Sequence, residues 1–558
     1  MAAANKNELV FLPLGGVGEI GMNLAAYGFG SQENREWLLI DMGVSFAGPE
    51  FPGVNLVLPD IRFLESEKHN VRALILTHAH EDHYGAVLDL WPKLKIPIYC
   101  TSFTARLLES KRSLDFGFDT IPLNIFKAGD FFQVGSFGIE AISANHSIPE
   151  SVSLAITTSL GSVIHTGDWK IDSTPSLGAV TDEKRFRALG NKGVLALLCD
   201  STNALQDGLS PSEQQVQDSL SEIILKAEGR VVIATFASNI GRVRSIALAA
   251  EAAGRKILLM GRSLKRSVLV AQDLGYMDGL APFLTEDDYG YIPRKDIVLV
   301  VTGSQGEPCA ALAKLSRKEM KNIVLSPGDT VIYSSRSIPG NEKAIIDIQN
   351  HLIDQGIKVL TNDDALVHVS GHPRRPELLQ MYDWVKPKIL VPVHGEALHL
   401  SAQAALAHQA GIKIVPEIRN GNMLRLAPEP VRVIDQVPVG RIYKDSYLIG
   451  DEDELGISER RKLSYVGHVA VSLHMNSKHD LLDDIGLNTF GLPKNNGNGE
   501  LLEDILLDVV ESTINNIPRI KRKDNDLIQK ATLQAVRSAV NKVWGKKPIC
   551  IVFLHRSK

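Results

Sequence analysis

The sequence predicts an α/β protein in which one α/β domain is interrupted by a second, with a small α+β region after both. Three features of the chain point that way. In the N-terminal third, short apolar runs each end in a turn carrying Gly, Asp or His. From about Pro211, strands and helices alternate instead. Near Thr361 the first texture returns, and a third region begins near Glu454. A chain of 558 residues is long enough for several domains, and the expected boundaries are 1–210, 211–360, 361–453 and 454–558.

The first region reads as ELVFLPLGG, EWLLIDMG, VRALILTHAH and SVIHTGDW. Each is a β-type run whose polar residues stand just past its end. Buried strands that finish this way deliver polar side chains to one edge of a sheet, where enzymes commonly build sites. In the second region SEQQVQDSLSEIILKAEG has the apolar spacing of an amphipathic helix. The strand RVVIATFA and the helix RVRSIALAAEAAG follow, then the strands KILLMG, DIVLVVTGSQGEP and TVIYSS with helical segments between them. Alternation at this spacing implies a mostly parallel sheet. DALV then reads as a strand leading into the polar turn HVSGH, and KILVPVHGE as another strand. In the last region NNGNGE reads as a loop, LLEDILLDVVESTINNI as a helix, the stretch from Arg519 as a basic helix, and PICIVFL as a strand.

Composition excludes several classes. The start, MAAANKNELV, lacks the basic and apolar segments of a secretory signal. No apolar run approaches the ~20 residues of a membrane helix. A soluble, cytoplasmic protein is expected, with no membrane partner. Cys100, Cys199, Cys309 and Cys550 are scattered without a C-x-x-C pair, which argues against a disulfide framework or a cysteine zinc cluster. The formal net charge of −5 does not favour a nucleic-acid binder. A cationic metal pair or a local basic groove can still hold a polyanion.

The densest chemistry is THAHEDHYG, with His78, His80, Asp82 and His83 directly after the apolar run VRALIL. Three imidazoles and a carboxylate are too polar to bury without a ligand, and they are the donors that suit zinc. Two zinc ions need about seven ligands, so others must come from elsewhere. His146 in SANHSIPES, Asp168 in HTGDWK and His394 in VPVHGE each follow an apolar run, and a carboxylate such as Asp168 can bridge two ions. Asp41 in LLIDMG fits an acceptor that orients a ligand imidazole, or a simple turn carboxylate.

The order Asp41, His78-x-His80-x-Asp82-His83, His146, Asp168 and His394 resembles the metallo-β-lactamase superfamily, and the insertion before the last histidine resembles its beta-CASP nuclease branch. The motifs PLGGVGEIGMN, CDSTN, TFASNIGR, TGSQGEP, SIPGNE, HVSGH and PVHGE are similar to the ribonuclease J family. The resemblance covers nearly the whole chain to about residue 450 and, more loosely, the rest. It implies an αββα sandwich with an inserted beta-CASP domain and a small C-terminal domain. It also implies two Zn2+ per subunit (Mn2+ as a substitute), a homodimer or homotetramer, and partners in RNA degradation.

The resemblance implies roles as well. Asp200 and His372 handle proton transfer, although DSTN is also rich in turn formers. His368, Val369, Ser370, Gly371 and His372, with Ser238 and Asn239 facing them, bind a terminal 5′-phosphate; the FASN turn equally suits a helix cap. Two zinc ions ~3.5–4 Å apart lower the pKa of a bridging water, so that hydroxide is available at neutral pH for attack on phosphorus. The implied activity is a 5′-to-3′ exonuclease on 5′-monophosphorylated single-stranded RNA that also cuts internally, in rRNA maturation and mRNA decay. Gly241 departs from the family pattern, which more often has a larger polar residue there. A DNA nuclease of the same branch and a lactone or thioester hydrolase are the alternatives. HVSGH, Asp200 and the insertion disfavour the second.

Other motifs weigh less. TGSQGEP lacks the lysine of a phosphate loop. GGVGEIG lacks the G-x-G-x-x-G pattern and fits a tight turn over the metal site. Trp169 suits either base stacking or packing. Lys521-Arg522-Lys523 suits RNA attraction or a solvated helix face.

Overall fold

A computed structural model describes residues 7–113, 120–338, 340–482 and 485–557. The leading MAAANK and Pro339 of SIPGNE lie outside them. Contacts divide the chain into one unit of 1–45 and 58–441 and another of 46–57 and 442–558.

In the first unit the N-terminal apolar runs and the returning texture form two sheets. An eight-stranded sheet includes Glu8–Gly15, Leu24–Ser31, Asn34–Ile40 and Val71–Ile75, with Asn422–Ala427 paired to the first. A six-stranded sheet runs Phe131–Val134, Phe137–Ser143, Val152–Thr158, Gly161–His165, Ala196–Asp200, Ile389–Val393. The inner faces share one core, including Phe11, Tyr27, Leu38, Ile75, Phe137, Leu154, Leu198 and Val391. On its other face the six-stranded sheet packs Trp169, Phe186, Met381 and Trp384, bringing in the helices Glu183–Lys192 and Arg375–Val385. Helices outside two facing sheets are the sandwich that the resemblance implied.

Register places the chemistry. Asn34–Ile40 and Val71–Ile75 run parallel with Ile40 opposite Ile75, so Asp41 and Thr77 leave the sheet at one edge. Gly161–His165, Ala196–Asp200 and Ile389–Val393 also run parallel, with Asp200 opposite Val393. Asp168, Asp200 and His394 therefore emerge together, although far apart in the chain.

The interruption is an all-parallel sheet in the order Lys256–Met260, Ile297–Val301, Val231–Ala234, Thr330–Tyr333, Lys358–Leu360. The expected helix occupies Glu213–Lys226, started by a capping box in which Ser212 accepts from Gln215 N and Gln215 accepts from Ser212 N. DALV, read as a strand, is not one. Val367 O accepts from Arg242 Nη1 and Ser334 Oγ, so side chains take the place of a neighbouring strand.

The second unit has a three-stranded sheet, Gly486–Phe490, His468–Met475 and Ile549–Arg556. The helices Leu502–Asn515 and Asn525–Trp544 share its core through Leu506, Val510, Ile528, Val536 and Val540. The basic run is a 3-10 turn at Arg519–Lys523 rather than part of the following helix, which Asp524 caps. Among the described residues no helix is long and apolar enough to cross a membrane.

Candidate active site

The expected ligands converge. His78, His80, His146 and Asp168 offer donor atoms within 4.8 Å of one another, and so do Asp82, His83, Asp168 and His394. Asp168 belongs to both groups. Its Oδ2 lies 3.7 Å from His78 Nε2, 3.6 Å from His146 Nε2 and 3.2 Å from His83 Nε2, and its Oδ1 lies 3.4 Å from His394 Nε2. Asp82 Oδ2 is 3.6 Å from His83 Nε2 and 3.4 Å from His394 Nε2.

The outer nitrogen of four rings is already engaged, and this decides which nitrogen faces inward. His83 Nδ1 is 2.7 Å from Asp41 Oδ2, His78 Nδ1 is 3.0 Å from Thr77 Oγ1, His146 Nδ1 is 2.7 Å from Gly371 O, and His394 Nδ1 is 3.1 Å from Thr202 Oγ1. A ring that donates outward through Nδ1–H presents the Nε2 lone pair to the cluster. The result is a set of acceptors aimed at one another. His80 Nδ1 sits 3.1 Å from His78 Nε2 and 3.0 Å from His146 Nε2. Asp168 Oδ1 and His394 Nε2 are buried without a hydrogen-bond partner. Orphaned buried acceptors carry a large desolvation cost. A bound metal cation would remove it, so these residues fit the metal that the sequence implies.

Electrostatics agree for three of the rings and divide them from the other two. Burial, with the surrounding imidazoles, holds His78 and His146 well below the usual histidine range, and burial brings His80 to about 4, so all three are neutral donors. Burial also opposes charge on His83 and His394, but the carboxylates, Asp168 first, push both rings well upward.

Asp41 takes the orienting position. It has φ 62°, in the left-handed region, and accepts from Thr77 N at 2.8 Å and Thr77 Oγ1 at 2.8 Å while holding His83. The glycine-rich turn reaches the site through a residue not singled out in the sequence: Asn23 Nδ2 donates to Asp82 O at 3.0 Å and lies 3.1 Å from His83 Nε2.

Beside the cluster, Asp200 Oδ2 holds His372 Nδ1 at 2.7 Å while Oδ1 accepts from Thr202 N at 2.9 Å. One carboxylate thus closes the DSTN turn and holds an imidazole. Burial lowers the His372 pKa, but Asp200 and then Asp168 outweigh it, and the net direction is upward. Asn203 Nδ2 ties this turn to the next segment, donating to Ser370 Oγ at 2.9 Å and His372 O at 3.0 Å. Gly371 has no room for a side chain: a Cβ would lie 2.5 Å from His146 Cε1 and 3.0 Å from Ser147 Oγ. His368 Nδ1 is buried without a partner, and Val369 is buried.

Of the two readings of FASN, the helix cap is the one Asn239 takes. Asn239 is buried and caps the helix Ile240–Ala252, accepting from Arg242 N at 2.9 Å. Among the described residues no hydrogen bond joins Ser238 or Asn239 to 368–372. The connection runs through Arg242, fully buried, which binds Glu213 Oε2 at 2.9 Å, Ser334 Oγ at 2.6 Å and Val367 O at 3.1 Å. Lys170, also fully buried, pairs with Asp172 at 3.0 Å and Glu213 at 3.5 Å. Trp169 is wholly buried and packs in the core, which excludes base stacking. Gly241 lies against Ser176, whose Oγ would be 2.5 Å from a Cβ there, so a larger residue requires the Ser176 hydroxyl to turn aside.

Comparison with known proteins follows the same divisions. The family model described as "Beta-lactamase superfamily domain" matches residues 36–191. "Ribonuclease J, beta-CASP domain" matches 228–352 and "Ribonuclease J C-terminal domain" 455–557. "Zn-dependent metallo-hydrolase RNA specificity domain" matches 356–416. A protein called Ribonuclease J from Sinorhizobium meliloti is 60% identical over 551 residues, 99% of this chain and 98% of its own. One of the same name from Corynebacterium glutamicum is 36% identical over 98% of this chain and 76% of its own. A solved structure of a protein of unknown function from Enterococcus faecalis shares the fold, with TM-score 0.53 and 16% identity over 75% of this chain and 100% of that one.

Proposed function

This chain belongs to the ribonuclease J family, and we propose that it is a zinc-dependent hydrolase of RNA phosphodiesters that removes nucleotides from a 5′-monophosphorylated end and also cuts internally. The observation that carries the reading is Asp168, a buried carboxylate shared by two groups of inward-facing imidazoles and flanked by the Asp200–His372 pair.

One ion would be held by His78, His80, His146 and Asp168 and a second by Asp82, His83, Asp168 and His394, with manganese able to replace zinc. When bound, the ions supply Lewis acidity at the scissile phosphate and make water acidic enough to react at neutral pH. The protein's own residues do the rest. Asp41, Thr77, Thr202 and Gly371 O fix the tautomer and direction of the ligand rings. Asp200 holds His372 at Nδ1, which leaves Nε2 to deliver a proton to the departing 3′-oxygen. His368, Ser370 and Gly371 receive the 5′-phosphate and so set the cut one nucleotide away. The physiological setting we infer is the cytoplasm, as a homodimer or homotetramer acting with RNA-degradation partners in rRNA maturation and mRNA decay.

The test is cleavage of a 5′-monophosphorylated single-stranded RNA labelled at either end. Mononucleotide release from the 5′ end, blocked by a 5′-hydroxyl and absent in His80→Ala, is expected. Internal cuts indifferent to the 5′ group would remove the phosphate pocket from the account, and cleavage of DNA in preference to RNA would replace the substrate.

A further inference from the structure

TGSQGEP and Arg336 have no part in the chemistry above, yet both lead to the phosphate-binding segment. Gln305, buried in that motif, donates from Nε2 to Arg336 O at 2.8 Å and accepts at Oε1 from Ile338 N at 2.8 Å. It braces the backbone on both sides of residue 337. Arg336 in turn donates from Nη1 to Asn203 Oδ1, and Asn203 is the residue that binds Ser370 Oγ and His372 O. The guanidinium is therefore one side chain removed from the 368–372 segment.

The charge around it is unbalanced. Among the described residues no carboxylate lies within ion-pair distance of Arg336, and its only side-chain hydrogen bond goes to the neutral Asn203. Partial burial and then the nearby Arg374 both disfavour its charge. Arg336 also acts, after burial, Arg242 and Lys170, to hold His368 well below its ordinary value. The other cations near His368 are spent, Arg242 on Glu213, Ser334 and Val367 O, and Lys170 on Asp172 and Glu213. The 368–372 segment itself offers NH groups, a hydroxyl and the neutral imidazole of His368, while the His372 ring is held by Asp200. Neutral donors bind a phosphate but discriminate weakly between a phosphate dianion and a hydroxyl; a guanidinium with no carboxylate partner discriminates strongly.

We propose that Arg336 is a specificity-determining residue that supplies the cation recognising the RNA 5′-phosphate, and that Gln305 is a positioning residue that holds it there. The inference rests on the 5′-phosphate reading of the preceding section.

The experiment measures kcat/KM on matched 5′-monophosphate and 5′-hydroxyl RNAs for the zinc-loaded full-length protein and for Arg336→Gln, Arg336→Lys, Gln305→Ala and Arg336→Gln/Gln305→Ala, with thermal melts alongside. The ratio of the two substrates is expected to fall about tenfold or more in Arg336→Gln and to be largely kept in Arg336→Lys. Gln305→Ala should give a smaller fall that vanishes in the Arg336→Gln background. A wild-type-like ratio in Arg336→Gln overturns the proposal. So does an equal loss on both substrates, which would make Arg336 a prop for Asn203. A wild type with no 5′-phosphate preference overturns the phosphate pocket itself, and this inference with it. Preference in the wild type that persists in Arg336→Gln overturns this inference alone.

Discussion

At the Asp168 end of the site, the clustered imidazoles are aimed by partners that touch them directly: Asp41 on His83, Thr77 on His78, Thr202 on His394. At the other end, among the described residues, 368–372 pairs with no strand. It is held by a relay of side chains from the interrupting sheet and the helices beside it: Arg242 and Ser334 on Val367 O, Glu213 between Arg242 and Lys170, and Asn203 on Ser370. On the proposed reading the first end is made of ligands, and its failure mode would be loss of the metal. The second is made of supports, and its failure mode is loss of shape. The same kind of substitution should therefore read out differently at the two ends.

The largest contrast is between Asp168→Ala and His372→Ala. Removing the carboxylate shared by both ligand groups should abolish bound zinc and lower activity at least about a thousandfold. Removing His372 should cost about a hundred- to ten-thousandfold in kcat, the scale of a lost general acid, with zinc retained. Metal analysis on both variants checks the distinction; zinc lost equally from His372→Ala would erase it.

Next is Glu213→Gln. It leaves Arg242 and Lys170 buried with a neutral neighbour, so unfolding should become easier by about 3–5 kcal/mol, read by denaturant titration. Burial opposes the Glu213 charge, but Arg242 and Lys170 outweigh it and hold the carboxyl below its ordinary value. A depressed carboxyl contributes stability above the ordinary carboxylate range and loses it as pH falls through the lowered value. The wild type should thus lose stability on acidification faster than Glu213→Gln. Parallel acid limbs would mean that the network does not carry this end.

The smallest effect is expected from Asp41→Asn. His83 stays in place but loses its charged acceptor, and zinc affinity should weaken about ten- to a hundredfold, measured by competition with a chelator. An unchanged affinity would reduce Asp41 to a turn residue.

The difference between the ends also explains what was legible in the sequence. His78, His80, Asp82 and His83 crowd one loop after an apolar run, so their convergence with the other donors was an expectation visible in the sequence from the start. Asp168 and His394 were weak alone and gained meaning from their order. The strand–helix alternation and the return of the first texture marked the inserted sheet. What could not be read was pairing: nothing near Asp200 or Val393 in the chain says that they lie opposite one another. The supports were hidden for the same reason. Arg242, Glu213, Lys170 and Asn203 look like ordinary helix and loop residues until folding buries them together. DALV misled because its apolar pattern suits a strand, whereas Val367 O is taken by Arg242 and Ser334. FASN suited both a phosphate turn and a helix cap, and only the fold shows that the Asn239 side chain accepts from Arg242 N at the helix start.

The most direct test of the account is to remove the metal with a chelator, reload the protein with zinc, and measure zinc content and RNA cleavage on the same sample. The account predicts two ions per chain, with cleavage of 5′-monophosphorylated RNA lost on removal and restored on reloading. A chain that carries its zinc and leaves RNA intact, or that cuts RNA equally well without metal, would contradict it.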